Sequence, residues 1–222
     1  MGCSSCAKKR NKASGATVAQ TIFRAGTWDR DIWNSVYKNN EYGIKRRWGG
    51  SVIDVGAHTG AFTKFMLDKG AKKIWAIEAD PANFEVLSKN MAPYIASGRV
   101  VLINKALGPA GEKFGPLNNP GENTGGTAYG PVEGGTIDTM SLDDIIDDIP
   151  GPILMKIDCE GCEYFAITEM EKLHRINAIV GEYHHRDGMT ELTLRDHLVS
   201  RGFQFSHTVK VPTLGLFGAH QP

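Results

Sequence analysis

A chain of 222 residues is long enough for one sizeable α/β domain with little left over. A hydrophobic fraction of 41% and a charged fraction of 23% are ordinary for a globular protein and argue against a disordered or fibrous one. Twenty-five Lys and Arg balance twenty-five Asp and Glu, so net charge offers no case for nucleic acid, and no nucleic-acid partner is expected.

Charge is nevertheless uneven along the chain. Residues 1–50 carry ten Lys and Arg against three Asp and Glu, whereas residues 141–171 carry nine acidic residues and one Lys. Such blocks usually form solvated faces. No apolar run approaches the roughly 20 residues needed to span a bilayer. No signal-peptide pattern precedes the folded part, so a cytoplasmic location is expected. The four cysteines form two CxxC pairs, Cys3/Cys6 and Cys159/Cys162, which is not the pattern of a secreted disulfide framework.

Residues 1–16 are small, polar and basic, and read as a disordered tail. Residues 17–222 read as a single domain, with a helical cap over 17–50 and a Rossmann-like core over 51–222. In the cap, Asp29 is a candidate N-cap for a helix near 30–39. There Ile32, Trp33, Val36 and Tyr37 make an apolar stripe at helical spacing. From residue 51 strands and helices alternate. SVIDVG is an apolar, β-branched run ending in glycine, as expected of a buried parallel strand. Thr59–Asp68 follows as a helix closed by Gly70. KIWAIEA is the second strand, and Pro81 opens the second helix with Asp80 as its cap. RVVLINKA is the third strand.

Residues 108–135 break this rhythm with nine glycines and four prolines, predicting short irregular strands or a mobile flap. TIDTMSLDDII then runs from a strand edge into a helix capped by Ser141. PILMKIDCEG is the fourth strand and Cys162–Met170 the helix after it. INAIVGEYH is the fifth strand, Leu192–Ser200 is helical, and GFQFSHTV with TLGLFGAH forms a final antiparallel hairpin. The alternation predicts a doubly wound α/β sheet.

The sharpest motif is DxGxxxG at the end of the first strand: Asp54, Gly56, His58 and Gly60. Ligands of open α/β sheets bind beyond the carboxyl ends of the strands. The pattern lacks the GxGxxG that turns dinucleotide phosphates onto a helix N-terminus. It suits S-adenosylmethionine, whose ammonium group a strand-end carboxylate serves and whose methionine part a tight glycine turn admits. Glu78, at the end of the second strand, is placed to accept hydrogen bonds from both ribose hydroxyls. NAD-binding folds use a carboxylate the same way, so Glu78 alone does not separate the two cofactors.

In order along the chain, VIDVGAHTGAFT, IEADPANFEVLSKN, NKALGPAGE, TMSLDDII and MKIDCEGCEYFAI resemble the FkbM family of S-adenosylmethionine-dependent methyltransferases. The resemblance covers about residues 28–185, and its most family-specific part is the KID-x-EG-x-E run. It implies a class I methyltransferase fold: a mostly parallel seven-stranded sheet with helices on both faces and a C-terminal antiparallel hairpin. It further implies that Asp54, Gly56 and Gly60 line the cofactor pocket and that Glu78 holds the ribose. Asn104 and Ala106 would lie near the adenine, and Asp158 near the transferred methyl. The family usually carries Asn where this chain has His58, a departure beside the methionine end.

Methyl transfer from a sulfonium is an in-line displacement with a neutral leaving group. The enzyme must align the reactants and, for a hydroxyl acceptor, remove a proton. Candidates project from the fourth strand (Asp158, Glu160 and Glu163) and from the fifth (Glu182, His184 and His185). Of these, Asp158, Glu160, Glu182 and His184 are the catalytic candidates, with His184 a general base near neutral pH. Glu163, in the first turn of a helix, reads as structural. Two carboxylates and a His can also bind a divalent cation, as in some O-methyltransferases, but the preferred reading has no metal. Cys159 is expected to point into the core as a small hydrophobe, and a zinc site shared with Cys3/Cys6 is rejected.

The function that follows is methylation of a small-molecule or sugar hydroxyl. The alternatives are an NAD-dependent oxidoreductase on a similar sheet and a non-catalytic cofactor-binding module. Gly2-Cys3-Ser4-Ser5-Cys6 with Lys8, Lys9, Arg10 and Lys12 resembles the acylated head of Src-type kinases, so membrane contact is expected only if the N-terminus is acylated.

Overall fold

The computed structural model describes residues 20–222; the basic tail and its acylation motif lie outside them. A seven-stranded sheet organises the chain, in the order β10-β11-β9-β8-β1-β2-β3. Its strands are β1 (Ser51–Val55), β2 (Lys73–Ile77), β3 (Val100–Ile103), β8 (Ile153–Ile157), β9 (Ala178–His184), β10 (Gln204–Val211) and β11 (Leu214–His220). The pairs β1–β2, β2–β3, β1–β8 and β8–β9 are parallel. β11 runs antiparallel to both β9 and β10. The doubly wound sheet and the terminal hairpin are those expected from the sequence.

β1 and β8 are buried along their whole length, because helices cover both faces of the sheet. The two faces feed two cores. Ile53, Val55, Trp75 and Ile77 point into one, with Tyr164, Ile167 and Leu194. Val52, Ile74 and Ala76 point into the other, with Phe62, Met66 and Leu87. Each such fully buried side chain contributes roughly 1.5–3 kcal/mol of apolar transfer energy.

The helices obey their end signals unevenly. α2 (Ala61–Lys69) ends on left-handed Gly70, and α3 (Pro81–Ala96) starts with Pro81 while the Asp80 side chain accepts from the Ala82 and Asn83 amides. α1 (Asp29–Trp33) is short and passes into a π-helical turn, Asn34–Lys38. Asp29 does not cap it; its carboxylate is buried and paired elsewhere. α4 (Glu163–Thr168) and α5 (Glu191–Ser200) follow β8 and β9.

The glycine-rich stretch forms part of a small second sheet, in the order β4-β7-β5-β6. Its strands are β4 (Ala106–Leu107), β5 (Lys113–Pro116), β6 (Tyr129–Pro131) and β7 (Ile137–Met140). The loop between β5 and β6 is tied down by hydrogen bonds rather than left free. Thr124 Oγ1 donates to Asp29 Oδ1 at 2.7 Å, Asn83 Nδ2 donates to the Thr124 carbonyl at 2.9 Å, and Tyr129 Oη donates to Asp80 Oδ2 at 2.8 Å. It therefore covers the carboxyl edge of the large sheet as a docked roof. Among the described residues no helix is long and apolar enough to cross a membrane.

Candidate active site

At the carboxyl ends of β1, β2 and β8 the structure opens a cleft. Gly56, His58, Glu78, Ala106, Asp158 and Glu160 line it, so six of the residues singled out in the sequence meet there. Thr127 and Tyr129 of the roof and Ile32 and Val36 of the N-terminal cap close its upper side.

Asp54 does not line the cleft. It shares a face of β1 with Val52, toward α2, and is fully buried. Thr63 Oγ1 donates to its Oδ2 at 2.6 Å, and Lys156 Nζ lies 3.5 Å from its Oδ1. The carboxylate thus sits beneath the floor. What reaches the cleft is its partner Lys156, a buried lysine that donates to the Val55 and Gly56 carbonyls at 3.0 and 2.7 Å. A lysine in mid-strand was the unread signal in MKID.

The two motif glycines also have roles in the fold. Gly56 has φ +70°, and a Cβ there would stand 1.8 Å from the Asp158 carbonyl oxygen. It lets the chain leaving β1 cross the end of β8. Gly60 lies outside the cleft lining, and a Cβ on it would meet Leu87 and Met91 of α3 at 2.9 Å. Its absence of a side chain lets α2 start close against α3. His58, between them, has φ +50°, a left-handed conformation that His and Asn adopt more readily than most side chains. That explains how His replaces the family's Asn without breaking the turn.

Glu78 ties the two cofactor-side loops together. Its Oε2 accepts from the His58 amide at 2.7 Å and its Oε1 from the Asp80 amide at 2.9 Å. Burial raises its pKa above the ordinary carboxylate value, against the pull of His58 and these amides. Asn104 is not in the cleft wall either. Its amide donates to the Glu78 carbonyl at 2.7 Å and to the Ala79 carbonyl at 3.2 Å, holding the end of β2, while Lys105, Ala106 and Leu107 line the cleft.

At the β8 end, Tyr42 Oη donates to Asp158 Oδ2 at 2.6 Å. Burial would raise the Asp158 pKa, but the Lys156 charge and the Tyr42 hydrogen bond outweigh it and hold the group low. Glu160 follows in a left-handed conformation, φ +57°, and burial pushes its pKa up to about 7. Glu163 is fully buried and accepts from the Gly161 amide at 2.9 Å and the His184 amide at 2.8 Å, a structural role as expected.

His184 and Glu182 stand behind the cleft rather than in its wall. The His184 ring lies 3.2 Å from Glu160 Oε2, 3.2 Å from Glu163 Oε1 and 3.5 Å from Glu182 Oε1. Burial alone would lower its pKa, yet the hydrogen bonds to Glu163 and Glu182 and the Glu160 charge push it up to about 11. Its ring thus faces three carboxylates from behind the cleft, rather than standing open to an acceptor as a general base would. Glu182 Oε2 accepts from Lys210 Nζ at 2.5 Å. His185 pairs with Glu191 at 2.6 Å, away from the cleft.

The expectation for Cys159 holds in part: it packs against the core, but not as a free thiol. It is joined to Cys162 by a disulfide that encloses Glu160 and Gly161, and both sulfur-bearing residues line the cleft. The spacing that resembled a core residue beside a helix start is a closed four-residue ring. The zinc site rejected from sequence cannot use these sulfurs in this bonded form.

The model of the FkbM methyltransferase domain matches residues 54–205. This chain belongs to the FkbM methyltransferase family. Among solved structures, the FkbM methyltransferase of Methylobacillus flagellatus KT is similar over 85% of this chain and 48% of that one, at 20% identity and a TM-score of 0.58. The chain therefore spans about half the length of that FkbM protein, and the likeness confirms the class I, Rossmann-like fold. The M. capricolum TrmK complex with S-adenosylhomocysteine aligns over 83% of this chain and 68% of that one, at 12% identity and a TM-score of 0.49. No match was found among curated proteins.

Proposed function

We propose that this FkbM-family chain is an S-adenosylmethionine-dependent methyltransferase acting on a hydroxyl of a small molecule or sugar. The observation that supports the reading is one cleft, bounded by Glu78 at the end of β2 and by Asp158 and Glu160 at the end of β8.

The residues present fit that cofactor. Glu78 spends one lone pair of each oxygen on a backbone amide, and a carboxylate has about four acceptor sites, so it retains capacity for ribose hydroxyls. Ala106, Leu107 and Ile77 offer an apolar wall for adenine. The turn Gly56–Ala57–His58 borders the space for the methionine part. When bound, the cofactor supplies an electrophilic methyl group. Tyr42 holds the Asp158 carboxylate in the cleft wall, and Glu160, whose pKa burial pushes up to about 7, is the better matched group to take the hydroxyl proton. The roof residues Thr127 and Tyr129 exclude water from above.

Calorimetry with S-adenosylhomocysteine tests the reading. Binding is expected, and Glu78→Ala should weaken it by about 1–3 kcal/mol, the cost of leaving buried polar partners unmatched. Tight NADH binding with no response to S-adenosylhomocysteine would overturn it.

A further inference from the structure

Where β8 and β9 end side by side, Asp158, Glu160 and His184 bring one ligand-type atom each to within 4.8 Å of one another. All three are half-buried. Their imidazole is oriented from behind. Glu163 Oε1 lies 3.2 Å from His184 Nδ1 and accepts the His184 backbone amide at 2.8 Å. Glu163 is itself fully buried and fixed by the Gly161 amide. Nδ1 therefore faces a carboxylate, and Nε2 faces Glu160 at 3.2 Å. A carboxylate behind an imidazole is the arrangement that orients histidine as a metal ligand. The disulfide between Cys159 and Cys162 fixes the loop that carries Glu160.

Charge points the same way. Asp158, Glu160, Glu163 and Glu182 crowd around His184, and the nearby cations are shared. Lys156 also lies against Asp54, and Lys210 is split between Glu182 and Glu41, 2.5 Å from each. Six carboxylates thus meet two lysines and one imidazole. A doubly charged ion is the ligand that offsets such an excess.

We propose that Asp158, Glu160 and His184 form a divalent-cation site, with Glu163 as the positioning residue for His184. Two carboxylates and one imidazole favour a cation that accepts mixed oxygen and nitrogen ligands, of which Mn²⁺ is the probe of choice. Three protein ligands leave positions open, and Asp158 and Glu160 line the cleft, so the open side faces the acceptor. There the ion would hold the acceptor oxygen and make its proton easier to remove. This role rests on the methyl-transfer reading; the binding itself does not.

The test is a Mn²⁺ titration of the purified full chain without cofactor, followed by loss of the free-ion paramagnetic resonance signal. One equivalent should bind. Glu160→Gln and His184→Ala should each weaken binding at least tenfold, and Glu163→Gln by about 10–100-fold. Thermal melts identify any variant that fails to fold, and the isosteric Glu160→Gln keeps the test decisive if His184→Ala does. Absence of binding to the wild type, or equal binding by wild type and Glu160→Gln, would overturn the proposal. Calorimetry with S-adenosylhomocysteine on the same samples separates the two readings. Mn²⁺ binding without S-adenosylhomocysteine binding sinks only methyl transfer, and the reverse sinks only the cation site.

Discussion

Tyr42 Oη and Asp158 Oδ2 are 2.6 Å apart and 116 residues apart in sequence. Through this bond the N-terminal segment fixes a side chain at the carboxyl end of β8, in the wall of the same cleft. Burial pushes the Tyr42 hydroxyl pKa well up, further raised by the Asp158 charge, so the phenol remains a donor throughout the working range.

A double-mutant cycle measures the bond. Tyr42→Phe keeps the ring edge against Phe62, 5.4 Å between centroids, and removes only the donor. Its coupling to Asp158→Asn, read from denaturant unfolding, should be about 1.5–3 kcal/mol, as for a hydrogen bond to a charged group. Additive effects would show that the hydroxyl and carboxylate do not interact.

Gly56 is predicted to be intolerant for reasons of fold. Even Gly56→Ala places a methyl on the Asp158 carbonyl in a left-handed conformation. A loss of about 3 kcal/mol or more is expected, some 6–12 °C in Tm for a chain of this size. A variant with unchanged Tm and lost S-adenosylhomocysteine binding would instead assign Gly56 to the ligand alone.

Asp29 anchors the roof. Arg24 Nη2 donates to it at 2.8 Å, Thr124 Oγ1 at 2.7 Å, and His58 Nε2 lies 3.5 Å away. Burial would raise its pKa, but the bonds from His58, Arg24 and Thr124 hold it far below the carboxylate range. A lowered folded pKa contributes stability that is fully present above the unfolded value of about 3.9 and is lost progressively as pH falls from there toward the folded value. Asp29→Asn should therefore cost about 3–5 kcal/mol at neutral pH by leaving Arg24 unmatched. The gap from wild type should stay level from about pH 5 to 8 and narrow below about pH 4. A gap that widens on acidification would contradict this sign.

The Cys159–Cys162 bridge predicts a specific chemical behaviour. Under non-reducing conditions peptides spanning 159–162 should resist alkylation, and thiol reductant should expose both sulfurs together. Alkylation of either cysteine in unreduced protein would show the ring to be open.

Much of this architecture is legible in the sequence, for definite reasons. β1, β2 and β8 read clearly because strands buried on both faces become uninterrupted apolar runs. Asp80 and Pro81 mark the start of α3 by chemistry local to three residues. What escapes is whatever depends on contacts distant in sequence. The direction of Asp54 follows from strand alternation, but its partner Lys156 comes from β8. The orientation of His184 is set by Glu163 across neighbouring elements. The docking of residues 108–135 rests on Thr124 finding Asp29, 95 residues earlier. A glycine count predicts flexibility there and is blind to those hydrogen bonds.

The interior position of β1 has a consequence for synthesis. Its β2 neighbour follows within one helix, whereas Ser51 of β1 must wait for Ile153 of β8 to complete its other side. At about 5–20 residues per second the ribosome needs several seconds to deliver it. Throughout that interval the nascent chain carries SVIDV with one row of amides and carbonyls open, an apolar template for pairing with another chain. Slower translation between β2 and β8 therefore lengthens the time for which this edge stays unpaired.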